Sequence, residues 1–306
     1  MKRREFIKKA FRFGALAGTA ALVSPYNRLI AAALPAENAP VLAAVKGGGP
    51  AVMFDKGIAA LGGMTKFVKK GQTVVVKPNI GWDTRPELAA NTNPELVGRI
   101  IKHCYDAGAK KVFVFDHTCD PWKDTYKNSG IEEAAKKAGA SVVAGNTQSY
   151  YQKVSVPGGV TLKSAMVHEL ILSSDVFINV PILKDHGSAD LTVSMKNLMG
   201  VVWERRAWHV TGLHQCIADF AAYRKPDLNV VDCYRIMTKN GPRGTSEADV
   251  EKAGSQIICS DMVAADAAAA KIMGYEPEEI KYIGTAAKKG LGEMDLGRVD
   301  IKKIQM

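Results

Sequence analysis

The stretch Ser173–Pro181, SSDVFINVP, places an almost unbroken apolar run between a Ser-Ser-Asp turn and a proline. Such a run, without alternation of polar and apolar residues, reads as a strand covered on both faces, the signature of a parallel sheet. Moving outward, TVVVKPN (73–79), KKVFVFDH (110–117), SVVAG (141–145), DLNVVDCY (227–234), SQIICSD (255–261) and VDIKKI (299–304) read the same way. Between them, NPELVGRIIKHCYDAGA opens on Asn93-Pro94 and stops at Gly108, which predicts a helix. GIEEAAKKAGA, GLHQCIADFAAYR and MVAADAAAAKIMGY carry helical spacing as well. YYQKVSVPGGVTLKSAMV predicts a hairpin turning at Gly158-Gly159. The expected fold is α/β: a mainly parallel sheet flanked by helices, with an inserted hairpin region around residues 146–170.

The chain has 306 residues, 47% apolar and 24% charged, enough to bury a full core. Its net charge of +10 invites a nucleic-acid reading, so the location of that charge matters. Lys2, Arg3, Arg4, Lys8, Lys9, Arg12 and Arg28 against Glu5 put +6 into residues 1–33, leaving +4 for the rest. That remainder is too little to argue for a nucleic-acid partner, and none is expected. The same leader has a short Gly/Ala-rich apolar stretch, Phe13 to Val23, and small residues at Ala31 and Ala33 suited to cleavage. The stretch falls short of the about 20 residues a stable membrane anchor needs. Arg3-Arg4-Glu5-Phe6-Ile7-Lys8 fits the twin-arginine export pattern. The expected division is a signal peptide over 1–33 and a single α/β domain over 34–306. The expected location is periplasmic, with the twin-arginine translocase and signal peptidase as transient partners.

Cys104, Cys119, Cys216, Cys233 and Cys259 are odd in number and contain no C-x-x-C pair. This is neither a disulfide scaffold nor a cluster or zinc-finger spacing. Gly47-Gly48-Gly49 lacks the ending of a phosphate-binding P-loop and the spacing of a dinucleotide fingerprint, which leaves a flexible loop as the reading. No G-x-S-x-G elbow is present, which weighs against nucleophilic hydrolysis.

Ligands of open parallel sheets bind beyond the carboxyl ends of the strands. The residues in those positions are chemically rich. Lys77 and Asn79 follow one strand; Asp116, His117 and Cys119 a second; Lys184, Asp185 and His186 a third; Asp232 and then Asn240 and Arg243 a fourth. Just after the third, SMKNLMG sets Lys196 and Asn197 on a short helix anchored by Met195, Leu198 and Met199. Two site readings follow. Lys77, Asn79, Lys196, Asn197 and Arg243, with Lys184, make an electropositive pocket for phosphate or carboxylate. Asp116, His117, Cys119 and His186 supply a candidate metal set, and a metal ion is the candidate cofactor. His117, His186 and Lys184 are the candidate catalytic groups, with the histidines moving protons.

VVVKPNIG, TNPELV, VFVFDH, SGIEEAAKKAG, SSDVFINVPILKDH, LTVSMKNLMG, NGPRGT and DMVAADAAAAKIMG resemble, in this order, the family called domain of unknown function 362. The resemblance runs from about Gly71 to Gly292 and implies an α/β domain. Some relatives carry ferredoxin-type cysteine motifs, which this chain lacks. It departs from the family pattern at Asn93, at Ile182 and at MTKNGP. The leading functional expectation is an exported, cofactor- or metal-dependent enzyme acting on a small anionic molecule. The alternative is a non-catalytic metal- or anion-binding protein, with an iron–sulfur redox partner disfavoured by the cysteine spacing.

Overall fold

A computed structural model describes residues 39–306, and the twin-arginine leader expected over residues 1–33 lies outside them. The first half runs β1 (Val41–Lys46), α1 (Pro50–Ala60), β2 (Thr73–Pro78), α2 (Pro94–Asp106), β3 (Lys111–Val114), α3 (Trp122–Asn128), α4 (Ile131–Lys137) and β4 (Ser141–Val142). A hairpin of β5 (Tyr151–Ser155) and β6 (Ser164–His168) leads through α5 (Glu169–Ser173) into β7 (Val176–Val180). Then come β8 (Ile182–His186), β9 (Asp190–Thr192), α6 (Ser194–Asn197), α7 (Trp208–Thr211) and α8 (Leu213–Ala221). The chain ends with β10 (Leu228–Met237), β11 (Val250–Glu251), β12 (Ser255–Cys259), α9 (Met262–Met273), α10 (Lys281–Lys288) and β13 (Asp300–Gln305).

The main sheet has the order β13-β1-β12-β10-β7-β2-β3-β4, with β8, β9 and β11 attached beside β10. β10, β7, β2, β3 and β4 are mutually parallel. β12 is antiparallel to both β1 and β10, so the sheet is mixed at that side. Successive side chains of a strand point to opposite faces. Val74, Val76, Ile178 and Val180 therefore enter one core, under α1 and α2. Val75, Phe177 and Val231 enter the other, under α8 and α9. Both faces are covered, as the unalternated strand sequences require. Asp261 starts α9 by accepting from the Val263 and Ala264 amides at 2.8 and 3.1 Å, and Gly274 ends it with a φ of 85°. Among the described residues no helix is long and apolar enough to cross a membrane.

Two elements differ from the sequence reading. VLAAVK, not among the strands read from the sequence, is the strand β1 beside β13. ILKDH, taken as a loop, is the strand β8. Pro181 has no N–H to give to the ladder, which breaks the run without turning the chain away. The ten-residue β10 pairs first with β7 and, past Pro181, with β8.

The hairpin forms as expected, as a separate two-stranded sheet. Its turn is held by Asp219 of α8, whose Oδ2 accepts from the Val160, Thr161 and Leu162 amides at 2.8–3.0 Å. Asp219 Oδ1 meets Lys289 Nζ at 2.9 Å. Asp219→Ala leaves those three amides without their acceptor and should lower stability by about 2–4 kcal/mol, with faster proteolysis at 156–163. Chemical denaturation with limited proteolysis checks this; unchanged stability would mean that the hairpin is held by apolar contacts alone.

Candidate functional site

Strand register places three polar residues side by side on the α8–α9 face. Lys77 of β2 is level with Asn179 of β7, and Asn179 with Asn229 of β10. Each sits two residues from an apolar side chain of the same face (Val75, Phe177, Val231), so the row interrupts that apolar face. Asn197 of α6 bridges the row. Its Nδ2 donates to Asn179 Oδ1 at 2.9 Å, and its Oδ1 accepts from Lys77 Nζ at 2.8 Å and from Asn79 Nδ2 at 2.9 Å. Asn179 Nδ2 in turn donates to Asn229 Oδ1 and to the Ser194 carbonyl, both at 3.0 Å. The first two amides of α6, Ser194 and Met195, donate to buried Asp266 of α9 at 2.7 and 3.0 Å. Met195 and Leu198 are buried in the core, as their spacing predicts. One short helix is thus pinned at both ends, and it carries Lys196 and Asn197.

Lys77 Nζ lies 3.0 Å from Asp116 Oδ1, with both side chains buried. Asp116 Oδ2 accepts from the Ile80 amide at 2.7 Å. Lys184 of β8 donates to Asn79 Oδ1 at 3.2 Å and to the Ala90 carbonyl. In front of these groups is a cavity of about 320 Å³. Lys77, Lys184, Lys196, Arg205 and Arg206 line it against one carboxylate, Asp116. Trp82, Thr192, His186 and His209 complete the wall. Arg205 is fixed by donating to the Thr118 carbonyl at 2.8 Å. The Lys196 ammonium makes no hydrogen bond or ion pair among the described residues, and the residue keeps part of its surface open. Among the described residues the Thr192 hydroxyl is buried without a hydrogen-bond partner, and Asp116 Oδ1 has only its ion pair.

Crowded cations and burial weaken the positive charge of this site. Burial brings Lys184 down to about 7, with Lys196 and Lys77 adding repulsion. Burial brings Lys196 down to about 8, and Lys77 to about 8 despite the Asp116 carboxylate. Burial, then Lys196 and Lys184, push His186 down to about 2. Its Nδ1 accepts from the Ser188 and Ala189 amides at 3.2 Å, so Nε2 carries the proton of a neutral ring.

The family model described as "Domain of unknown function (DUF362)" matches residues 74–271, more than half of the chain and all of the strands that end at the cavity. The chain belongs to the DUF362 family. This DUF362 chain is 25% identical over 239 residues to a thylakoid-associated protein of Synechocystis, covering 76% of the chain and 72% of that relative. Among solved structures, a Thermotoga maritima protein is similar at 9% identity with a TM-score of 0.43, covering 79% of this chain and 60% of that one. The lactate racemase apoprotein of Thermoanaerobacterium thermosaccharolyticum is similar at 12% identity with a TM-score of 0.39, covering 76% and 57%. The chain therefore spans about three-fifths of the length of those two solved structures.

Within this DUF362 fold, five of the six residues named as an anion set share one wall. Lys77, Asn79, Lys184, Lys196 and Asn197 line the cavity, and Asp116, Cys119 and His186 line it with them. Arg243 does not. Its guanidinium reaches Asp120 at 3.6 Å and the Trp82 ring at 5.9 Å, outside the wall. The metal set fails to form. Asp116 faces Lys77, and His117 turns away to stack on Trp203 at 4.9 Å with Nδ1 3.2 Å from the Val202 carbonyl. Among the described residues no three His, Cys, Asp or Glu side chains converge as metal ligands. His117 lines a neighbouring cavity with Asn146 and Glu204, and burial lowers it to about 4. Asp232 is also outside the site, accepting from the Asn93 amide at the start of α2 and from the Tyr234 amide of its own strand. Trp82, Thr192, Arg205, Arg206 and His209 were not singled out from sequence as site residues. None follows a long apolar strand; the adjacent arginines of WERRAWH were the available signal.

Gly200 packs against the ion pair so closely that a Cβ there would fall onto Asp116 Oδ1 and lie 2.6 Å from Lys77 Nζ. Gly200→Ala should cost about 1–3 kcal/mol and weaken anion binding at the same time. Denaturant melts with sulfate titration measure both; a variant with native stability and native affinity would show that the pair tolerates displacement.

Proposed function

We propose that this chain is an exported enzyme that binds a small anionic substrate in the cavity bounded by Lys77, Lys184 and Lys196. The observation that carries the reading is the wall itself: five basic side chains and one carboxylate around about 320 Å³, with the Lys196 ammonium unpaired. The volume suits a ligand of a few heavy atoms, at the low end of small-molecule sites. The orphaned Thr192 hydroxyl supplies a further ligand contact. Chemistry is favoured over simple storage by the lysine near neutrality, since a site built only to hold an anion gains from fully charged cations. The histidines serve differently than expected from sequence. His186 is a fixed neutral donor at the wall, and proton movement falls to the lysines and Asp116. The donor geometry does not fit a metal ion, so no metal step belongs to the proposal.

The anion reading is tested with sulfate, whose charge stays constant over the range used. The free lysines lose their protons as pH rises past about 7 to about 8. Sulfate affinity should therefore fall about tenfold or more from about pH 6 to about pH 9, with protons taken up on binding at the upper end. Lys196→Ala combined with Arg205→Ala should weaken it by a further about tenfold or more at low pH. Calorimetry in buffers of different ionisation heat reads both effects. Sulfate that fails to bind at any pH, or binds equally well to the double variant, overturns the reading.

Export rests on the Arg3-Arg4-Glu5-Phe6-Ile7-Lys8 pattern, which supports passage of the folded chain through the twin-arginine translocase to the periplasm. Arg3→Lys with Arg4→Lys should leave the protein in the cytoplasm on cell fractionation. Continued export of that variant would point to another route.

A further inference from the structure

Lys184 differs from its two neighbours in what surrounds it. Lys77 has a carboxylate, Asp116, at 3.0 Å, and Lys196 has no partner among the described residues. Lys184 has two neutral acceptors, Asn79 Oδ1 and the Ala90 carbonyl, and no carboxylate in contact. A neutral amine has two N–H donors and one lone pair. Two acceptors use both donors, which leaves the lone pair unassigned. An ammonium there would have a third N–H without a partner and no counter-charge, in a place almost closed to solvent. The surroundings therefore match the free amine. Lys184 also lines the cavity, alongside cations suited to hold an anionic group.

We propose that Lys184 is a covalent nucleophile that condenses with the carbonyl group of a small oxo acid held in this cavity. The inference rests on the anion reading and names the substrate class for it: a carboxylate, or a comparable anion, with an aldehyde or ketone beside it. The Lys184 nitrogen forms a bond to the carbonyl carbon. Two protons from that nitrogen leave with the carbonyl oxygen as one water, and a carbon–nitrogen double bond remains. No electrons are gained or lost. Lys196 and Arg205 hold the anionic end. Asp116, with an oxygen free of hydrogen bonds and paired only to Lys77, stands at the same wall to carry the proton between nitrogen and oxygen. Once protonated, the imine draws electrons from the neighbouring carbon, which is the usual advantage of a desolvated catalytic lysine.

The test uses the whole mature chain with pyruvate and, separately, glyoxylate, in the presence of borohydride, which reduces an imine to a stable secondary amine. Peptide mapping locates the adduct in the native protein, so the answer does not depend on a variant folding. At about pH 7 Lys184 is about half free amine, whereas an ordinary lysine near about 10.4 is less than about one part in 10³. Labelling of Lys184 should exceed that of any surface lysine by about 100-fold, allowing for the lower intrinsic reactivity of a weaker base. Sulfate should suppress it. Lys184→Arg should lose the adduct, and the mapping on the native protein decides the assignment whatever that variant does to sulfate affinity.

Three results overturn the proposal. An adduct on Lys196 or Lys77 in place of Lys184 assigns the nucleophile wrongly. Equal labelling of surface lysines denies any special reactivity. Pyruvate or glyoxylate that displaces sulfate from the cavity yet leaves no adduct removes the covalent step while leaving the anion reading standing. If sulfate itself does not bind, the anion reading fails first and the nucleophile fails with it, a result separable from the other three.

Discussion

The site depends on a helix of four residues held across the end of an apolar sheet face. Asn197 is the joint. Through one side-chain amide it accepts from Lys77 and Asn79 and donates to Asn179, which is itself tied to Asn229 on the next strand. A side-chain amide suits this place because it presents an acceptor and donors from one rigid plane. An aspartate would repel the Asn179 oxygen, and a leucine would leave Lys77 with only Asp116 in a buried setting. Buried polar groups lacking partners cost about 1–3 kcal/mol each, more if charged. A fully satisfied row therefore specifies one placement of α6 and with it the placement of Lys196.

The same arrangement accounts for the weak charges of the cavity. Three lysines within one wall share a single carboxylate, and burial is the largest cause of the downward shift in each. Their contribution to stability has a definite sign. With folded values near 7 to 8 and an unfolded value of about 10.4, the unfolded chain binds more protons across that interval. The empty site therefore strains the fold below about pH 7 and relaxes as pH rises towards about 10. An anion bound as proposed would offset that strain at neutral pH and so couple occupancy of the cavity to stability. Asp266 has the opposite character: burial raises it to about 7, so the carboxylate pinning α6 is itself held at some cost. Both features fit a site whose geometry is kept for binding and chemistry rather than for stability.

Cys119 and the Arg205–Arg206 pair stand at the meeting of two cavities, the basic one and the one lined by His117. The boundary is made by the segment following α6, which reaches the hairpin through a bridge between Val202 and Val167 and a Trp203 amide bond to the Met166 carbonyl at 3.0 Å. The inserted hairpin is thus a brace for the arginine-bearing segment. Asp219 holds the turn of that brace through the Val160, Thr161 and Leu162 amides.

Much of this was legible in residue order alone. Unalternated Val/Ile/Phe runs require a sheet covered on both faces, because each residue of such a strand, whichever way it points, must be buried. The residues just beyond those runs, Lys77, Asn79, Asp116 and Lys184, then stand at one rim by the geometry of parallel strands. Lys196 and Asn197 were recognisable from the apolar anchors around them. Local pattern could not decide three things. β12 runs antiparallel, since direction is a property of the connection and not of the strand. The chain stays in the sheet past Pro181, because β10 is long enough to receive β8. His117 and His186 face different cavities, although each follows a strand, since the side on which a residue emerges depends on register with neighbours far away in the chain. Period and strand ends belong to the sequence by itself; convergence of Lys184, Lys196 and Arg205 on one volume belongs to long-range packing, which alone sets which side chains share a space.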